Sequence, residues 1–75
     1  MKERYNIYHD DNQKGMVKVG TTLASSDKIA LMYAWMKYKD DEIGEIIVKK
    51  VVGDTEKFVA VRFRFSDEDG WRYLE

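Results

Sequence analysis

Cysteine and proline are both absent from this 75-residue chain, histidine occurs once, and no uninterrupted apolar run approaches the thickness of a bilayer. Without cysteine there are neither disulfides nor thiolate metal sites, so the fold has to be held by apolar packing, as suits a reducing compartment. Without proline, the ends of elements have to be marked by Gly, Asn and Asp. Crossing a bilayer takes about 20 apolar residues in succession, and the opening MKERYNIYHD is charged and lacks the apolar stretch of a signal peptide. The expectation is a soluble, cytoplasmic protein with no membrane association. A strong charge imbalance is missing too. Thirteen basic against 14 acidic side chains leave a net charge of -1, which makes the whole chain neither an electrostatic magnet for nucleic acid nor an acidic mimic of it.

Catalytic groups are equally scarce. His9 is the sole histidine, and Ser25 and Ser26 sit where a helix needs capping, so the sequence assembles no nucleophile and base, and the chain reads as non-enzymatic. The stretch DDNQKG (10–15) offers acceptors at Asp10 and Asn12 and a glycine at Gly15. It departs from a calcium loop at Lys14, which occupies a ligand position, and at Thr21, where the closing acid belongs. His9, Asp10 and Asp11 are adjacent on an extended segment and do not converge on an ion. No metal and no cofactor is expected. Nor is there a glycine-rich phosphate loop, since Gly44, Gly53 and Gly70 all mark turns.

What is present fits one domain over residues 1–75, because a chain this short cannot be divided into two stable cores. RYNIYH (4–9) is rich in β-formers, and Gly15 after DDNQK suits a hairpin closed by a left-handed glycine. MVKVGTTL (16–23) alternates, with Val17, Val19, Thr21 and Leu23 on one side and Met16, Lys18, Gly20 and Thr22 on the other. SSD (25–27) supplies capping side chains and an acid for a helix from residue 26 or 27 to 40, with Lys37 and Lys39 in its last turn. EIIVKKVV (45–52) reads as a third strand, GDTEK as a loop, FVAVRFRFS (58–66) as a fourth strand, and WRYLE (71–75) as a short fifth after the turn DEDG.

The order ββαβββ predicts an α+β fold: a two-layer domain whose five-stranded, mostly antiparallel sheet has one helix packed on one face. Its first half is similar to the β-grasp arrangement of a hairpin followed by a crossing helix, a likeness of topology alone. At 100° per residue, Ile29, Leu31, Met32, Trp35, Met36 and Tyr38 form a broad arc that should face the sheet, leaving Ala30, Tyr33, Ala34 and Lys37 outside. Tyr5, Ile7, Val17, Val19, Ile46, Val48, Val59, Val61, Phe63 and Phe65 should point inward to meet it.

By the same period of two, Phe58, Ala60, Arg62 and Arg64 fall on the face that the lone helix cannot cover. Arg4, Tyr8, Lys18, and one of Lys49 and Lys50 would join them, with Arg72 or Trp71. A sheet face of arginine, lysine and aromatics rimmed by acidic turns suits a protein partner, since Arg and aromatics dominate binding hot spots. It suits single-stranded nucleic acid less well, given the acidic rim. Charged residues on the wet side of an antiparallel sheet are also its ordinary state. The expected function is a small protein-binding module, an accessory or inhibitory factor of the kind phages make, acting on a protein partner or a second copy of itself. Its expected contact residues are Arg62, Arg64, Phe58, Tyr33, Lys18 and Tyr8, Tyr33 through the strip it forms with Ala30 and Ala34 on the helix.

NIY (6–8) followed by KVG (18–20) and a helix resembles the opening hairpin of the GIY-YIG nuclease family, over about the first 35 residues, which implies metal-assisted DNA cleavage. Tyr8 alone matches a catalytic tyrosine of that motif. Lys18 replaces the second tyrosine, Lys28 stands where an arginine is expected, and no clear counterpart of the metal-binding glutamate follows Glu42 and Glu45. Two short β-strands account for the likeness without any shared activity.

Overall fold

The computed structural model describes residues 2–11, 15–39, 44–63 and 71–73, with the side chains of Asp11 and Phe63 left aside. The strands are β1 (Glu3–Asp11), β2 (Gly15–Ala24), β3 (Glu45–Val52), β4 (Thr55–Phe63) and β5 (Arg72–Tyr73), and the helix α1 (Asp27–Tyr38) lies between β2 and β3. All strand pairs are antiparallel and the order across the sheet is β2-β1-β3-β4-β5, so the chain is a two-layer α+β fold with its helix against one face. Arg64, Phe65 and residues 67–70, where a turn is expected, lie outside the described residues, as do 12–14 and 40–43.

Local chemistry explains the element ends. Gly15 has φ +75 where β2 begins, and Gly53 has φ +60 at the first position of a two-residue turn that joins Val52 directly to Thr55, a place where type II′ turns put glycine. β4 therefore starts three residues earlier than its apolar pattern suggests. Ser26 caps α1, its hydroxyl accepting from the Ile29 amide at 3.3 Å, with Asp27 in the first turn and Lys37 in the last.

The core is Tyr5 and Ile7 from β1 and Ile46 and Val48 from β3, under Ala30, Leu31, Ala34 and Tyr38 of the helix. Burying such isoleucine and valine side chains contributes about 1.5 to 3 kcal/mol each. The helix is rotated relative to its predicted seat. Ala30 and Ala34 are fully buried, whereas Ile29, Met32 and Met36 are 47, 57 and 63% exposed. The sheet surface already carries large side chains, so the helix approaches it with its smallest residues. Tyr38 then reaches over Gly20 to donate its hydroxyl to the Val19 carbonyl at 3.2 Å, and Tyr5 donates to Asp27 at 2.6 Å. A Cβ on Gly20 would run into the Tyr38 hydroxyl.

Two irregularities break the alternation. In β2, Ile7 faces Gly20 while Tyr8 faces Lys18, which leaves Val19 as an extra residue. In β4, Val48 faces Ala60 while Lys49 faces Phe58, which leaves Val59 extra. Each bulge flips the side-chain parity of everything beyond it. Val61 is consequently paired with Ile47 on the face away from the helix, and Arg62, paired with Ile46, lies on the helix side. The Arg62 guanidinium stacks 3.6 Å from the centroid of the Trp35 ring. The expectation that Arg62 faces open solvent opposite the helix is corrected: one extra residue upstream put it beneath α1.

Candidate functional site: the open face of the sheet

Facing pairs share a side of an antiparallel sheet, so the ladder fixes which residues the helix leaves uncovered. They include Arg4, Asn6 and Tyr8 of β1, Lys18, Thr21 and Leu23 of β2, Ile47, Lys49 and Val51 of β3, and Glu56, Phe58 and Val61 of β4. Of the expected contact residues, the structure brings Tyr8, Lys18 and Phe58 to this face, Tyr8 and Phe58 half-buried and Lys18 exposed. Arg62 is on the other side, Arg64 is outside the described residues, and Tyr33 is on the helix, where its hydroxyl accepts from the Lys37 ammonium at 3.2 Å. Ala30 and Ala34, expected beside Tyr33 on the exposed strip, are in the core.

A polar knot that the sequence did not disclose organises the centre of the face. Glu56 reaches from β4 across β3 to β1, where one carboxylate oxygen accepts from the Asn6 amide at 2.6 Å and from the Tyr8 hydroxyl. Asn6 is buried, and its own carbonyl accepts from Thr21 at 3.2 Å. Lys49 lies over the Tyr8 ring, 5.1 Å from its centroid. Hydrogen bonds from Asn6 and Tyr8 hold the Glu56 carboxyl below its ordinary value, and the same bond from Tyr8 to Glu56 is the main cause that pushes the Tyr8 hydroxyl up. At neutral pH the knot is therefore a phenol bound to a carboxylate, with Lys18 and Lys49 adding electrostatic support. Beside it, Arg4, Lys18, Thr21, Leu23 and Val51 line a shallow depression of about 480 Å³.

The arrangement supplies hydrogen-bond donors, two half-buried aromatic rings and the cations Arg4, Lys18 and Lys49, offset by the central Glu56 carboxylate and by the facing pair Asp10 and Glu45 at one end. Tyr8, the one residue that matches the nuclease motif, and Lys28, which stands where that family has an arginine, are on opposite sides of the sheet, the first bonded to Glu56 and the second on the helix. His9 points to the helix side, edge-on to Tyr38 at 5.0 Å, while its neighbour Asp10 falls on the open side.

A second surface escaped the sequence reading: the outward stripe Ile29, Met32 and Met36, with Tyr33 beside it. Next to it, Lys28, Leu31, Met32, Trp71 and Tyr73 line a hollow of about 300 Å³ between the helix and β5. The available signal was the pair Ala30 and Ala34 with Tyr38 one turn on, small residues in series that let a helix backbone approach a sheet. Compared with known proteins, the chain matches no family model, no curated protein and no solved structure.

Proposed function

We propose that this chain is a non-enzymatic binding module that docks on a protein partner through the open face of its sheet. The observation that supports the reading is that a single helix covers one face, while Tyr8, Lys18 and Phe58 share the other with Arg4 and Lys49. Aromatic and cationic residues around a pre-bonded polar centre suit a partner surface with acidic and apolar groups. An accessory or inhibitory role, of the kind small phage-type cytoplasmic proteins perform, goes with this reading. Single-stranded nucleic acid is the rival. It is weakened because the Glu56 carboxylate sits at the centre of the face and Arg62 is turned to the helix side.

Photo-crosslinking in cells of the source organism tests the proposal, with the reactive residue placed at Phe58 or, as a control, at Met36. Crosslinks to one protein from Phe58, abolished by Lys18→Glu in the same chain, are the expected result. Crosslinks from Met36 alone overturn the reading. Binding of a 15-nucleotide oligothymidylate that collapses with added salt would transfer the face to the rival.

A further inference from the structure

The geometry points to β2 as a self-association edge, on which a second copy of this chain adds its own β2 antiparallel about a two-fold axis at Val19 and Gly20. This goes beyond the open-face reading and does not rest on it, because it uses the rim of the sheet and leaves both faces free.

β2 is a ten-residue strand at the end of the sheet order, and among the described residues nothing pairs with its outer side. Its exposed apolar side chains are Met16, Val17, Val19 and Leu23. A long edge of unpaired amides and carbonyls is a template for another strand, and proteins restrict it with charges and bulges. Here both devices are present, and together they select one pairing.

Met16, Lys18, Thr21 and Leu23 face the open side, and Val17, Gly20, Thr22 and Ala24 face the helix side, with the bulge at Val19 between the two halves. Two strands pair stably only where facing residues point to the same side. The bulge makes this hold when residues 15 to 18 of one copy face 24 to 21 of the other. Met16 then meets Leu23, Val17 meets Thr22, and Lys18 meets Thr21, with the bulge of one copy against the bulge of the other. Apolar groups are matched, and no Lys18 faces Lys18. Other offsets seat the bulge against regular strand or shorten the ladder. The pairing would join two five-stranded sheets into one continuous sheet with both helices on the same side.

Sedimentation equilibrium of the full chain from micromolar to millimolar concentration tests this, against a protomer mass of 8.9 kDa. The expected result is a concentration-dependent dimer. Met16→Lys with Leu23→Lys puts like charges face to face and should raise the dissociation constant at least tenfold. Met16→Glu with Leu23→Lys should restore the dimer and make it salt-sensitive. Because the chain has no cysteine, Met16→Cys with Leu23→Cys gives a second readout: the two thiols of one chain are about 23 Å apart along the strand, so oxidation can join only two copies. A monomer at millimolar concentration overturns the inference. So does a dimer that survives the double lysine variant, or a charge-swapped variant that stays monomeric while retaining the native circular dichroism.

Discussion

Gly20 and Tyr38 form a contact in which a hydrogen atom stands where any other residue would carry carbon. Gly20→Ala should destabilise the protein by about 1 to 3 kcal/mol, as overpacking does, because the Tyr38 hydroxyl has to leave the Val19 carbonyl. Tyr38→Phe alone should cost about 1 kcal/mol for the lost bond, yet the double variant should be more stable than the sum implies, since the clashing oxygen is gone. Urea unfolding of the four species measures that coupling. Tyr5 gives a pH signature. Burial first, and then its bond to Asp27, raise its hydroxyl above the ordinary value of 10.0. The folded state keeps the proton that the unfolded chain releases, so this stabilisation is complete below pH 10.0 and declines as pH rises beyond it. Tyr5→Phe should flatten the alkaline limb of the stability profile. Glu56 works in the opposite direction. Its carboxyl is lowered from 4.5, so its contribution is present above that pH and is lost as pH falls through the folded value. The deficit of Glu56→Gln at neutral pH should accordingly shrink in acid.

At the level of the element, α1 separates what a periodicity argument can and cannot see. Its start, the capping cluster 25–27 that contains Ser26, and the charges Asp27 and Lys37 of its end turns are legible, because they depend on local hydrogen bonds, whereas its last residue is Tyr38 rather than 40. Its orientation is not legible. A hydrophobicity wheel favours Ile29, Met32 and Met36 as the inner face, yet the sheet accepts Ala30 and Ala34, because fit to Tyr5, Ile7 and Gly20 outweighs apolar area. Ala34→Leu should therefore destabilise by about 1 to 3 kcal/mol, whereas Met36→Lys should change stability by no more than about 0.5 kcal/mol. Thermal melts of the two variants distinguish this seat from the one the wheel favours. The strands follow the same division. β3 matches its apolar run residue for residue, and the first hairpin follows from Gly15, but the tight turn at Gly53 lies inside a stretch read as a five-residue loop, and neither Val19 nor Val59 carries a signal that sets it apart from a regular strand residue.

Over the whole molecule, β1 and β3 are the central pair, each flanked by a strand on both sides, while β5 contributes two residues at one rim. Hydrogen exchange should be slowest for amides of Ile7, Ile46 and Val48 and fast for Arg72 and Tyr73, the order set by how completely each strand is enclosed. The two-layer class was legible because it depends only on the number and type of elements. Much of the candidate site was not, because membership of a face depends on parity, and parity is lost at each bulge. Tyr8, Lys18 and Phe58 were assigned to the uncovered side and lie there, whereas Arg62 sits downstream of Val59 and is turned away. The second bulge makes the properties of β4 depend on residue count as much as on composition. Deleting Val59, the residue without a partner in the ladder, would make Phe58 and Ala60 neighbours in a regular strand and leave Val61 and Arg62 on the faces they now hold, whereas the same one-codon loss from a strand with no spare residue turns every side chain beyond it over.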